Sequence, residues 1–327
     1  MKAAVLVEQN KPLQIVDIEI PPLGVGQVLV HVEYSGICGK QIDEIVGKRP
    51  DPFLPHLLGH EGSGIVEEVG AGVKKVRRGD HVVLHWMKGS GIDSEPPRFG
   101  KISAGWVTTF SEYTIASENR VTKIPDDIRL DMACLLGCAV TTGLGIVFND
   151  ANLKPGQSII IFGAGGIGLN VIQGAKLVNA WPIIAVDKYA WKLDMAKMFG
   201  ATCLILFDNH PFVLTQSVDV AVDTTGIKSV REMAYNSARK VIFAGVPSEK
   251  ITIDSYPIHA GRQIIGSHGG DTKPDVDIPR YLKLYQLGKL KLNEQITHEF
   301  PLEEINEAIG VVKRGEAGKC VIWMNGQ

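Results

Sequence analysis

The chain has 327 residues, 45% of them hydrophobic and 21% charged, with a net charge of −2. That length carries two domains with separate cores, and a near-neutral balance without a long basic run excludes nucleic acid and anionic membrane as expected partners. Residues 1–11 hold too short an apolar run for a signal peptide, and no stretch approaches the roughly 18 apolar residues of a membrane span, so a cytoplasmic location is expected.

Up to about residue 139, short strand-like runs recur: Ala3 to Val7, Leu13 to Ile18, Gln27 to Tyr34, Gly64 to Val69, His81 to Leu84 and Glu112 to Ile115. Turn residues such as Pro21-Pro22-Leu23-Gly24 and Arg78-Gly79-Asp80 separate them. The pattern predicts an all-β unit, a small barrel. Two glycine-rich polar stretches interrupt it. One is Gly36-Ile37-Cys38-Gly39-Lys40-Gln41-Ile42-Asp43; the other is Gly59-His60-Glu61-Gly62-Ser63-Gly64. A lone cysteine or histidine is most often a packed core group. Here both stand in turns beside strands, where ligands are presented, and Glu61 beside His60 strengthens a metal reading. A third stretch, Leu136 to Gly143, holds Cys138. Cys134 lies four residues earlier, a spacing that shares one helix face. From the residues alone, both thiols read as core. The chain's five cysteines (Cys203 and Cys320 are the others) are odd in number and irregularly spaced, which argues for free thiols or metal ligands in a reducing compartment.

From Ser158 the pattern changes. Ser158 to Phe162 is a short β-branched run, read as a buried strand. Gly163, Ala164, Gly165, Gly166, Ile167 and Gly168 then spell G-x-G-x-x-G, Ile167 to Leu177 keeps helical apolar spacing, and Pro182 to Val186 is a second strand ending at Asp187. Gly163 turns the chain off the strand, Gly165 lets backbone approach a pyrophosphate, and Gly168 lets the helix close onto the sheet. Gly166 and Ile167 open a helix whose free N–H groups face the phosphates. Asp187 is placed to accept the ribose hydroxyls of an adenosine, and its charge repels a 2′-phosphate, so NAD is expected rather than NADP. Lys188, next in sequence, softens that repulsion or lies in solvent. Val218 to Val222 and Lys240 to Ala244 add strands, with helices at Tyr189 to Phe199 and Lys228 to Ser237. The alternation predicts a doubly wound sheet.

Taken together, Gly36-Ile37-Cys38, Gly59-His60-Glu61 with Gly64, Gly70 and Val73, and Gly137-Cys138 ahead of Thr142-Gly143 resemble the medium-chain, zinc-dependent alcohol dehydrogenase family. The likeness covers nearly the whole chain. It implies an α/β protein: a GroES-like β-barrel catalytic domain over 1–139, a doubly wound Rossmann coenzyme-binding domain over 140–267, and a return to the catalytic domain over 268–327. It implies a catalytic zinc on Cys38, His60 and Cys138, with Glu61 a carboxylate that exchanges with water on the metal. Two thiolates and an imidazole leave a fourth position open, where a small-molecule alcohol or carbonyl is activated for hydride exchange with NAD. By the same resemblance Lys192 reaches the adenosine ribose, Thr142 lies beside the nicotinamide, Val246 holds the carboxamide and Lys319 meets the pyrophosphate. Homodimers or homotetramers are implied as well.

The sequence also departs from the family. No cysteine lies between Cys38 and Cys134, where many members carry four closely spaced cysteines, so one zinc and no structural zinc are expected. The segment from His85 to Gly105 replaces that lobe, and Trp86 in it is read as a substrate wall or a core residue. Lys40 stands where the family's proton-accepting hydroxyl is usual, Gln41 where Asp is common, and Asp43 where a relay histidine is frequent. Lys40 is read as the base itself or as an anchor for an anionic substrate, with Asp43 as another step on the proton path. The bland reading pairs Lys40 with Asp43 or with solvent. Two rivals remain: a zinc-free quinone or alkene reductase of the same fold, and a non-catalytic redox sensor that binds NAD.

Overall fold

The computed structural model describes residues 1–208, 217–247 and 249–324. Contacts divide the chain into two units. The first comprises Met1–Cys138, Lys273–Gln286 and Leu292–Gln327; the second comprises Ala139–Thr272 and Leu287–Lys291. The return to the first unit starts at Lys273, where the resemblance implied about 268, and is interrupted by a short excursion.

Among the described residues, the first unit holds a seven-stranded and a five-stranded sheet. The larger runs in the order Val121–Lys123, His81–His85, Glu61–Val69, Gln27–Gly36, Lys319–Trp323 and Ile296–Pro301, with Tyr113–Ser117 also pairing to Gln27–Gly36. Val28, Val30 and Val32 alternate along the central strand and are fully buried with Val66, Val82, Leu84 and Ile322. Burying each such side chain contributes about 1.5–3 kcal/mol, so a charge at Val30 would remove that gain and strand itself. Antiparallel pairing sets Ser35 opposite Gly62 and Glu61 opposite His85. That register carries the end of one strand and the start of the next to the same place, which brings Cys38 beside His60. The sequence reading found Gln27–Gly36, Glu61–Val69, His81–His85 and Tyr113–Ser117 within a few residues, but not Val121–Lys123, Ile296–Pro301 or Lys319–Trp323. It did not place Lys319–Trp323 between Gln27–Gly36 and Ile296–Pro301.

Among the described residues, the second unit is built on six parallel strands in the order Cys203–Leu206, Ile183–Asp187, Ile159–Phe162, Val218–Asp223, Ala238–Phe243 and Gln263–Gly266. Ile159–Phe162 shows no polar alternation because both of its faces are covered. Ile159 and Ile161 pack into one core, and Ile160 and Phe162 into another. The order reverses between Ile159–Phe162 and Val218–Asp223. In an open parallel sheet that is the point where a crevice forms beyond the strands' carboxyl ends. The doubly wound sheet expected from sequence is the one observed.

Candidate metal centre and coenzyme pocket

Cys38 caps the helix Gly39–Ile45 in an extended conformation, at φ −102° and ψ 146°. His60 directly precedes the strand Glu61–Val69. Cys138 closes the tight turn Cys134–Gly137 with a non-helical backbone, φ −150° and ψ −70°. That break overturns the shared helix face expected of Cys134 and Cys138. Cys134 donates its thiol to the Asp131 carbonyl at 2.9 Å, whereas the Cys138 sulfur stands 4.0 Å from that of Cys38. Donor atoms of Cys38, His60 and Cys138 all lie within 4.8 Å of one another, the one such convergence of three among the described residues. Two sulfurs bound to one tetrahedral zinc at about 2.3 Å stand about 3.8 Å apart, close to the separation seen here. His60 Nδ1 is taken by the Gln41 amide at 3.1 Å, while Nε2 is buried with no partner. A buried nitrogen left unpaired is costly, and two soft sulfurs with one imidazole are the donors zinc favours. The residues therefore fit the metal.

Electrostatics point the same way. The hydrogen bond with Cys138 holds the Cys38 thiol well below its ordinary value, and His60 and Lys319 add to that effect against burial. Cys138 is pushed well above its own by the same bond and by burial. Burial alone would lower His60, but the neighbouring Cys38 sulfur outweighs it and the net shift is upward.

Glu61 is wholly buried and paired with Lys319, itself 5% exposed. The ammonium also donates to the Ile37 carbonyl at 3.1 Å. Burial would lower Lys319, but Glu61 and then Cys38 raise it on balance. Gly137 makes room: a Cβ there would sit 2.8 Å from the Glu61 Cα. The ammonium of Lys319, expected from the resemblance to meet the pyrophosphate, is held here by Glu61 and a backbone carbonyl inside the first unit.

Lys40 and Asp43, expected on the proton path, each have a partner of their own. Lys40 Nζ meets Glu44 Oε1 at 2.9 Å, one helical turn along, and the lysine is largely exposed. Helical spacing gives it a nearer partner than the cluster. Asp43 pairs instead with Lys48 at 2.6 Å. Neither joins the converging donors. The residue of that turn which does reach them is Gln41, buried and held by Gly59 N–H, Glu44 and His60. Its one sequence signal is its place a turn after Cys38.

The segment from His85 to Gly105 is tied by side-chain carboxylates. Glu118 accepts the N–H groups of Lys74, Lys75 and Ile92. Asp275 accepts from Ser90 and Thr122 and pairs with Lys75. His85 is buried, its Nδ1 donating to the Met87 carbonyl at 2.7 Å and its Nε2 sharing a hydrogen bond with Thr122 Oγ1 at 2.9 Å. Trp86 is half-buried and packs against the apolar core of the first unit.

In the second unit, a cavity of about 310 Å³ is lined by Gly163, Gly165, Asp187, Lys188, Tyr189 and Lys192, with Thr224, Thr225 and others opposite. Gly163 turns at φ 93°, and Gly165 caps the helix Gly166–Leu177, which carries Ile167 in its first turn. A Cβ on Gly168 would lie 1.9 Å from the Gly163 carbonyl, so only glycine permits the helix this approach. Nothing would meet a Cβ on Gly165 within 4 Å, leaving the space a diphosphate needs. Asp187 is aimed by two backbone donors, Ala164 N–H at 2.8 Å and Tyr189 N–H at 3.0 Å. Lys188 and Lys192 lie over the Tyr189 ring at 4.7 and 5.2 Å, a contact favourable to both cations. Burial lowers Lys192 despite Asp187. Tyr189, Thr224 and Thr225 were not singled out from sequence; they follow strand ends, the one signal available. Thr142 is buried in the helix Ala139–Gly145 and Val246 is exposed; neither lines this cavity.

Comparison with known proteins adds two family matches: residues 24–126 to the alcohol dehydrogenase GroES-like domain, and residues 166–286 to the zinc-binding dehydrogenase domain. The S-(hydroxymethyl)glutathione dehydrogenase of Synechocystis sp. is 33% identical, covering 98% of this chain and 99% of its own. Alcohol dehydrogenase 6 of Peromyscus maniculatus is 34% identical over 98% and 97%. The crystal structure of benzyl alcohol dehydrogenase from Acinetobacter calcoaceticus superposes with a TM-score of 0.92 at 28% identity, covering 99% of each chain.

Proposed function

Because this chain belongs to the zinc-dependent, medium-chain alcohol dehydrogenase family, we propose that Cys38, His60 and Cys138 hold its catalytic zinc and that it carries no other. The protein is an oxidoreductase that moves hydride between an alcohol, or the matching carbonyl, and a nicotinamide coenzyme. The observation that carries the metal assignment is the unpartnered His60 Nε2 buried beside two converging sulfurs.

Zinc, when bound, supplies a Lewis acid that lowers the cost of negative charge on a substrate oxygen. The chain's own residues prepare that field. Cys38 offers a sulfur already biased toward thiolate. Lys319 neutralises Glu61, next to the ligand His60, so that its carboxylate charge does not stand unbalanced. Gln41 grips the imidazole from behind. At the coenzyme end, Asp187 accepts from two backbone N–H groups and keeps lone pairs for ribose hydroxyls. Its charge opposes a 2′-phosphate while the two nearby ammonium groups are drawn to the Tyr189 ring, which supports NAD over NADP.

A single zinc is supported by the absence of cysteine between Cys38 and Cys134 and by Glu118 and Asp275, which anchor the 85–105 segment through hydrogen bonds. A homo-oligomer is supported by the edge strand Gln263–Gly266, whose Gln263 and Ile264 are exposed and which carries neither charge nor proline to deter pairing. No single described helix is long and apolar enough to cross a membrane, and free cysteines accord with a reducing cytoplasm.

Metal analysis of freshly purified protein should find about one zinc per chain, and a panel of primary and secondary alcohols should raise NADH absorbance with NAD well ahead of NADP. Marked sub-stoichiometry with activity on quinones or alkenes would favour the zinc-free reductase. Silence across the panel with zinc and NAD bound would favour a non-catalytic sensor.

A further inference from the structure

Building on the metal-centre reading above, we propose that Gln41 sets how tightly that centre holds its ion, by dictating which ring nitrogen of His60 carries the proton. Gln41 is 4% exposed, and each polar atom of its amide is engaged. Its Oε1 accepts the Gly59 N–H. Its Nε2 donates to Glu44 Oε2 at 2.8 Å, leaving the second hydrogen for His60 Nδ1 at 3.1 Å.

The amide has one workable orientation. Turned over, it would set N–H against the Gly59 N–H and oxygen against the Glu44 carboxylate, losing two bonds and gaining two repulsions. Gly59 and Glu44 therefore make Gln41 a donor toward His60. Nδ1 must then accept, and in a neutral imidazole the proton falls to Nε2. Yet Nε2 is the nitrogen left facing the sulfurs, buried and without a partner. An ion needs the lone pair of that nitrogen, and a histidine that ligates through one nitrogen donates a proton from the other. The folded protein thus presents the opposite tautomer.

Two consequences follow. Uptake of an ion moves the ring proton to Nδ1, where it faces an amide N–H, so the amide must turn and release Glu44. An acceptor in place of that N–H would remove this opposition. The ion is also linked to the surface, because the other Glu44 oxygen holds Lys40 at 2.9 Å. Gln41 is accordingly a positioning residue that tempers zinc affinity.

The test exchanges the two polar groups. Gln41→Glu combined with Glu44→Gln keeps net charge and nearly every atom. It gives Gly59 N–H and His60 Nδ1–H an acceptor, and lets the new amide donate back. In competition with a chromophoric chelator, the exchanged protein should bind zinc at least about tenfold more tightly than wild type and release it more slowly. Equal or weaker binding would overturn the proposal. A second measurement uses wild type alone and stands even if the exchange impairs folding. Nitrogen-15 correlation spectra of the full chain stripped of metal should show His60 protonated at Nε2; a proton on Nδ1 would overturn the proposal. If wild type takes up no zinc in the same competition, the metal-centre reading itself fails, and this inference with it.

Discussion

Replacing Lys319 by methionine tests the buried charge pair under the metal centre. The side chains of Lys319 and Glu61 are 5% and 0% exposed, so neither charge has water to fall back on. The substitution keeps much of the aliphatic stem but takes the Lys319 ammonium from the buried Glu61 carboxylate, and it strips the Ile37 carbonyl of its 3.1 Å donor. Breaking a buried pair by removing one partner costs about 3–5 kcal/mol. With a urea dependence of about 2.5 kcal/mol per molar, the unfolding midpoint should fall by about 1.2–2 M. The companion double variant, Lys319→Met with Glu61→Gln, removes both charges and should recover most of the loss, since uncharged replacements of a buried pair are often near neutral. Urea melts followed by circular dichroism at constant slope would measure both. A single variant losing less than about 1 kcal/mol would mean the pair behaves as a solvated surface bridge. A double variant no better than the single would mean that the loss is packing rather than uncompensated charge. Either outcome would refute the reasoning.

Three further outcomes are expected. Gly168→Ala sets a Cβ 1.9 Å from the Gly163 carbonyl; the helix start must move by overpacking worth about 1–3 kcal/mol, and NADH fluorescence titration should show affinity lowered about tenfold or more. Asp187→Ser should weaken NAD by a similar factor while narrowing or reversing the preference over NADP in paired titrations; an unchanged preference would remove Asp187 from coenzyme choice. His85 is lowered to about 3 by burial, so the unfolded chain, near 6.5, binds the extra proton first. The stability it contributes is complete above pH 6.5 and is lost as pH falls toward 3, at up to about 1.4 kcal/mol per pH unit. His85→Gln should flatten the acid limb of a stability–pH curve between pH 6.5 and 4, and a limb as steep as wild type would assign acid lability elsewhere.

The coenzyme half was legible because its instructions are contiguous. Gly163 to Gly168 follow a buried strand and open a helix, Asp187 ends the next strand, and each contact is made within that run or between neighbouring parallel strands. The Cys38 and His60 turns were legible for the same reason, and register then carried them together. Side-chain direction was not legible. Lys40 and Asp43 sit in the expected turn, yet the helix aims them at Glu44 and Lys48. Cys134 and Cys138 have helical spacing, yet the backbone breaks between their roles. Least legible were partners joined across the chain: Lys319 reaches Glu61 from 258 positions away, and Asp275 reaches Ser90 from 185. Local pattern carries the fold because hydrogen bonding and apolar period act over a few residues. A buried charge takes whatever counter-charge the packed chain brings within reach, and that is decided when the strand Lys319–Trp323 slots in beside Gln27–Gly36.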